Sequence, residues 1–224
     1  MPEASAAALR GLHVAGDPLI LANAWDAGTA RLVEQASFAA VATTSSGVAE
    51  ALCYEDGEQT PVAEMLAAVA RVARAVELPV TADMEAGYGL DDAELAQRVL
   101  AAGAVGLNLE DSDHGNEPAL VPVERHAARI ARIKQSADLM LNARVDVHLR
   151  GGATAEALER DAPIATRERT ASIRSASPRR TRLPHSWSSA CRSTSCSDRA
   201  RRRSSGWPGW ASRASASATS CTRR

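Results

Sequence analysis

Polar residues stand at the ends of apolar runs, where the strands of a parallel sheet would stop. The run LPVTADME (78–85) ends in Asp83 and Glu85, VGLNLED (105–111) in Glu110 and Asp111, and LMLNARVD (139–146) in Arg144 and Asp146. Asp83 and Glu85 are two apart, which places both on one side of an extended strand. With Glu110 they would bring three negative charges into one mouth. Two unit charges about 4 Å apart repel by roughly 4 kcal/mol at an effective dielectric near 20. A cation relieves that repulsion, and oxygen ligands with retained water suit Mg²⁺ or Mn²⁺. Taken singly, each acid could instead cap the helix that follows it. Arg144 offers a rigid fork for a carboxylate or phosphate, or else a structural ion pair with Asp146 or Glu110.

A fourth run, FAAVATT (38–44), leads into Ser45, Ser46 and Gly47. Read as a turn opening a long loop, this stretch supplies hydroxyl and backbone N–H donors for an anion. His114 falls in the polar loop SDHGNEP. It is expected as a solvated loop histidine, or else as a residue of a mobile lid.

Positioning these side chains requires strands that alternate with helices. LILANAW (19–25) reads as a first buried strand, followed by a short helix through AGTARLVEQA. The segments PVAEMLAAVARVARAVE (61–77), DDAELAQRVLAAG (91–103) and PVERHAARIARIKQ (122–135) repeat apolar residues at helical spacing, and ATAEALER starts another helix. Five such units predict βαβ connections and a parallel sheet, either a (β/α)8 TIM barrel or a doubly wound sheet. In a parallel barrel the C-terminal strand ends share one face, where active sites are built. NAWDAGTA, which follows the first strand, is not a glycine-rich phosphate fingerprint, and this argues against a nucleotide-binding doubly wound fold.

The net charge of −1 over 224 residues hides an asymmetry. Residues 161–224 hold 14 Arg and 3 acidic residues, whereas 1–160 hold 12 basic and 24 acidic residues. No run approaches the roughly 20 apolar residues of a membrane span, and the N-terminus lacks the pattern of a secretion signal. Cys53 is the only cysteine before residue 161. A cytoplasmic location without disulfides is expected.

The motifs NAWDAGTA, ATTSSGVA, YEDGE, PVTADMEAGYG, GLNLED and NARVD occur in the order found in the isocitrate lyase / phosphoenolpyruvate mutase superfamily, which this chain resembles over about residues 8–160. The resemblance implies a (β/α)8 barrel. It also implies Mg²⁺-dependent chemistry on small α-keto or α-hydroxy carboxylates, making or breaking C–C or C–P bonds through enolate-like species. It further implies that Asp83, with Asp56, Glu85 and Glu110, holds the metal directly or through waters, Asp56 also standing among the catalytic residues. Ser45, Ser46, Gly47, Trp25, His114 and Asn116 would bind the substrate, and Arg144 would neutralise developing charge. Lyase members carry a Cys-Gly-His motif in the loop after strand four, and phosphonomutases carry a Lys and an Asn there. This loop has no Cys or Lys and offers His114 and Asn116, so the reaction type stays open. Family members often form homo-oligomers by exchanging a last helix, which this chain lacks in recognisable form.

A barrel needs eight strands, and 161–224, which should supply three, contain one Leu, two Ile and no Val. Reread one base out of phase with GC-rich codons, RERTASIRSASP (167–178) becomes GADSIYPLGVA, a strand-like string. The remainder of the tail likewise regains strand and helix patterns. A frame slip near residues 157–166 is therefore expected, leaving 161–224 as a basic, low-complexity, disordered tail and impairing the enzyme. The competing reading is a non-catalytic binding protein whose Arg- and Trp-containing tail contacts nucleic acid. A zinc site from Cys191, Cys196 and Cys221 matches no common finger spacing.

Overall fold

The structure is a computed structural model, and it describes residues 5–14, 16–116, 119–165 and 171–174. The chain divides into Met1–Pro178 and Arg179–Arg224, and the described residues all lie in the first unit. The tail cysteines, the Arg-rich stretch and most of the proposed frame-slipped segment lie outside them.

Six strands form one parallel sheet: β1 (Ala22–Ala24), β2 (Val41–Thr43), β3 (Val80–Asp83), β4 (Gly106–Glu110), β5 (Met140–Val145) and β6 (Ala171–Arg174). Their order is strictly sequential, β1-β2-β3-β4-β5-β6, and every pairing is parallel. A doubly wound sheet reverses its order at a switch point, so this is the winding of a (β/α)8 barrel. Five of the strands fall within the runs expected from sequence, and β6 adds a sixth beyond residue 160. Among the described residues β1 and β6 each pair on one side only.

Seven helices accompany the sheet: α1 (Ala6–Gly11), α2 (Ala27–Gln35), α3 (Ser45–Leu52), α4 (Val62–Ala73), α5 (Asp92–Ala101), α6 (Val123–Ser136) and α7 (Thr154–Ala165). The expected long loop after β2 is in fact α3. Thr44 caps it by accepting a hydrogen bond from the Gly47 N–H at 3.4 Å, and Val48 and Ala49 are buried. In α2, Asp26 and Thr29 form a reciprocal capping box. The Thr29 backbone N–H is the largest cause holding the Asp26 carboxyl below its ordinary range.

The alternation of the strands separates two environments. Leu107 and Leu109 face outward and are fully buried with Met65, Val69, Leu95, Val99 and Ile130 between sheet and helices. The opposite face carries three cross-strand rows in register: Thr81, Gly106 and Met140; then Asp83, Asn108 and Asn142; then Glu110 and Arg144. Leu9 of α1 closes the bottom row. A Cβ on Gly106 would stand 2.6 Å from Leu9 Cδ2 and 2.7 Å from Thr81 Oγ1, so only glycine admits this plug. The apolar bottom and polar top of this face leave the chemistry at the C-terminal strand ends.

Candidate active site at the carboxyl ends of the strands

Asp83, the last residue of β3, is held from several directions. Its Oδ2 accepts hydrogen bonds from the backbone N–H of Ser45 at 3.2 Å and from the Ser45 hydroxyl at 3.0 Å. Its Oδ1 accepts from Asn108 Nδ2 at 3.1 Å and, more distantly, from the Glu85 N–H at 3.4 Å. The first turn of α3 thus touches the β3 carboxylate directly. The Ser46 side chain makes no hydrogen bond among the described residues and is half-buried in the same turn. Trp25 is 43% exposed, and its Cβ lies 3.3 Å from where a Gly47 Cβ would be.

Glu85 does not continue the strand, contrary to the expected alternation. β3 ends at Asp83, and Glu85 takes a left-handed conformation with φ 47°. Tyr88 does the same at φ 55°. Left-handed backbone is uncommon outside glycine, and interlocking bonds hold it here. The Glu58 N–H donates to Glu85 Oε2 at 2.7 Å, the Tyr88 hydroxyl donates to Glu85 Oε1, and the Tyr88 N–H donates to Glu58 Oε1. From α6, Arg129 Nη1 reaches the Ala86 carbonyl at 2.5 Å while its Nε pairs with Asp92 at 2.7 Å. Burial pushes the Glu85 carboxyl above the usual carboxylate range. Tyr88 and Glu58 oppose the shift, and the charges of Asp56 and Asp83 add to it.

Glu110 is 3% exposed and faces Arg144 and His114. Arg144 pairs with Glu110 Oε2, and His114 Nε2 lies 2.8 Å from Glu110 Oε1 and 3.8 Å from Glu85 Oε2. His114 is therefore turned inward with a side chain only 13% exposed, rather than solvated, because two buried carboxylates offer it charge and hydrogen bonding. Asn116 stays exposed at the loop tip, where its Nδ2 donates to Asp113 at 3.2 Å.

Arg144 makes both ion pairs that sequence left open. Asp146 takes its Nε at 2.7 Å and its Nη2 at 2.9 Å, and Nη1 points toward Asp83 Oδ1 at 3.9 Å. Asp146 is fixed in turn by the Ser112 hydroxyl at 2.7 Å and by its own N–H, which donates to Asp111 Oδ1 at 2.8 Å. Arg160 of α7 pairs with Asp111 at 2.8 Å and also reaches the Val121 carbonyl. Burial raises the Asp111 carboxyl, and the Asp146 N–H and Arg160 oppose it.

The structure thus gathers Asp83, Glu85, Glu110, Arg144, Ser45 and His114, with Ser46, Gly47 and Trp25 on the neighbouring helix turn and loop. Asp56 is exposed, yet near enough for its charge to act on Glu85. Asn108, Asn142, Tyr88 and Glu58 also belong to the network and were not singled out from sequence. The two asparagines did leave a signal: each lies two residues before a site residue, Glu110 or Arg144, in an otherwise aliphatic strand. Among the described residues no three His, Cys, Asp or Glu side chains converge as a ready metal cluster; Arg144 stands among the acids. The donors are hard oxygens, with Asp83, Glu85 and Glu110 set against the one guanidinium of Arg144. They fit a hydrated Mg²⁺, which needs only one or two carboxylates and keeps several waters.

A sequentially wound parallel sheet with this acid-and-arginine mouth defines an enzyme-type (β/α)8 barrel. Residues 9–163 match the phosphoenolpyruvate phosphomutase family model, and the chain belongs to that family. A 2-methylisocitrate lyase of Bacillus subtilis is 30% identical over 159 residues, covering 67% of this chain and 53% of its own length. A candidate phosphonomutase from Burkholderia cenocepacia shares 39% identity and superposes with a TM-score of 0.69 over 76% of this chain and 74% of that one. A phosphonopyruvate hydrolase solved with oxalate and Mg²⁺ shares the fold, with a TM-score of 0.68, 24% identity and coverage of 80% and 64%. The chain spans about half the length of the curated relatives it matches. Among the described residues no helix is long and apolar enough to cross a membrane.

Proposed function

We propose that this chain carries the site of a Mg²⁺-dependent lyase or phosphonomutase acting on a small α-keto or α-hydroxy carboxylate. The observation that supports this reading best is the meeting of Asp83, Glu85, Glu110 and Arg144 at the carboxyl ends of three adjacent barrel strands. Asp83, with Asp56, Glu85 and Glu110 directly or through waters, would hold the ion; Mn²⁺ would suit the same donors. Bound there, the ion would supply Lewis-acid stabilisation of a developing oxyanion. The chain's own residues do the rest. Ser46 and Gly47, with Ser45, form the first turn of α3 that would receive the substrate carboxylate, where the helix dipole favours an anion; the Ser45 donors already serve Asp83, which leaves Ser46 to supply the hydroxyl. Trp25 covers that position from the loop after β1. Arg144, braced by Asp146, turns Nη1 toward the same space and offsets negative charge as it develops. His114 and Asn116 lie on the β4 loop, which carries no cysteine to act as acid or base.

The second part of the proposal concerns turnover. A (β/α)8 barrel closes with eight strands, six are described, and the composition of 161–224 favours a frame slip over a native continuation. This chain is expected to hold the ion and substrate groups but to turn over poorly, and its oligomeric state to differ from that of relatives with an intact C-terminal half. The test pairs two proteins, the 224-residue chain and a version with the neighbouring frame restored after about residue 160. Each is assayed on a panel of small 2-oxo and 2-hydroxy carboxylates with Mg²⁺ and with EDTA. EDTA-sensitive turnover by the restored version, with little by this chain, supports both parts. Robust turnover by this chain overturns the impairment, and metal-independent or absent turnover by the restored version overturns the enzyme assignment. The nucleotide sequence tests the slip itself: a neighbouring frame that encodes no strand-like segments contradicts it.

A further inference from the structure

Asparagine is poorly suited to the interior of a parallel strand, where aliphatic residues predominate, yet two asparagines face each other here. Asp83, Asn108 and Asn142 are register partners on β3, β4 and β5. Asn142 Nδ2 donates to Asn108 Oδ1 at 2.5 Å, and Asn108 Nδ2 donates to Asp83 Oδ1 at 3.1 Å. The carboxylate dictates the direction of this chain. Ionised Asp83 only accepts, so Asn108 must turn its amino group toward it; Asn108 then presents its oxygen to β5, and Asn142 must answer with its own amino group. The end of the ladder shows the consequence. Among the described residues Asn142 Oδ1 is buried without a hydrogen-bond partner, an arrangement that costs stability unless something else requires it.

We propose that Asn108 and Asn142 are positioning residues that aim the Asp83 carboxylate, with Asn142 acting solely through the amide orientation of Asn108. The ladder fixes Oδ1 from the β4 side while Ser45 fixes Oδ2 from the α3 side. The inference rests on the Mg²⁺ reading of the site, since a carboxylate needs such aim only toward a ligand.

The test is Mg²⁺ titration calorimetry on the full chain and on Asn108→Leu, Asn142→Leu and the double variant, each also unfolded in urea. Asn108→Leu should weaken Mg²⁺ about 10–100-fold, the usual effect of removing a partner that orients a metal ligand. Asn142→Leu should weaken it less, and the double variant no more than Asn108→Leu alone, because the two act in series. Stability should not follow affinity: Asn142→Leu removes the orphaned Asn142 oxygen but leaves Asn108 Oδ1 without its donor, and should keep the urea midpoint about where it is. A purely structural role would not separate affinity from stability in this manner. Wild-type affinity in both single variants, or effects that simply add, would overturn the inference. No Mg²⁺ binding by the wild-type chain would overturn the functional reading, and this inference with it.

Discussion

A methyl group at Gly47 would stand 2.7 Å from Thr44 Cγ2, so Gly47→Ala has to displace the side chain that caps α3. The expected loss is about 1 kcal/mol, the usual worth of an N-cap, read as a lower urea midpoint. Weaker binding of a small dicarboxylate such as oxalate should accompany it; unchanged binding would place the anion elsewhere. His126 is a second residue with a measurable consequence. It is 1% exposed with no partner for Nε2, and burial first, then the charges of Arg129 and Arg160, hold its imidazole down to about 4. In the unfolded chain a histidine titrates near 6.5, so between these values the unfolded state binds the extra proton. Stability is therefore full above about pH 6.5 and falls as the pH drops through that window, by up to about 3 kcal/mol. Urea midpoints at pH 7.5 and pH 5 should differ more for the wild type than for His126→Phe. Equal differences would contradict the assignment.

Among the elements, α7 matters because Arg160 reaches from it to Asp111, which is fully buried. Asp111 holds the Asp146 N–H, and Asp146 holds Arg144, so a helix remote from the mouth sets the aim of its arginine. Arg160→Leu should cost about 3–5 kcal/mol by leaving a buried carboxylate unpaired, and adding Asp111→Leu should recover part of that loss. Denaturant titrations of the two variants decide it; a milder single variant or a worse double variant would contradict the buried pair. Most elements were legible in the sequence because aliphatic strands and helical periodicity agree locally with the fold. α3 was not, since Ser45, Ser46 and Gly47 are turn formers by local preference and become helical only under the Thr44 cap and the burial of Val48 and Ala49. The left-handed Glu85 was hidden for a similar reason: contacts from Glu58, Tyr88 and Arg129, all distant or looped, decide it. His114 read as solvated because the turn of its loop back onto Glu110, and toward Glu85 beyond the end of β3, is not written in the local pattern.

At the scale of the molecule, the sheet winds in order from β1 to β6 and presents its polar rows at one end. Ile20 and Leu32, beside β1, are 72% and 64% exposed. Pro163 lies inside the last turn of α7, where a residue without an N–H interrupts the helical ladder. Restoring the neighbouring frame should therefore raise the urea midpoint and reduce binding of an apolar dye; no gain in stability would count against the slip. The identities of the acids and of Arg144 were legible because their types and positions at strand ends are written locally. The partners of Arg144 were narrowed to Asp146 or Glu110; that both pair with it at once, with Asp83 nearby, depends on register across the sheet.

The central claim is that Asp83 lies at the heart of a divalent-cation site, and Mg²⁺ titration of the purified chain beside Asp83→Ala tests it most directly. Saturable Mg²⁺ binding that EDTA reverses is expected, weakened at least about tenfold by Asp83→Ala, a difference of about 1.4 kcal/mol, while circular dichroism stays that of the wild type. Equal Mg²⁺ affinity in the two proteins, or no binding by the wild type, would contradict it.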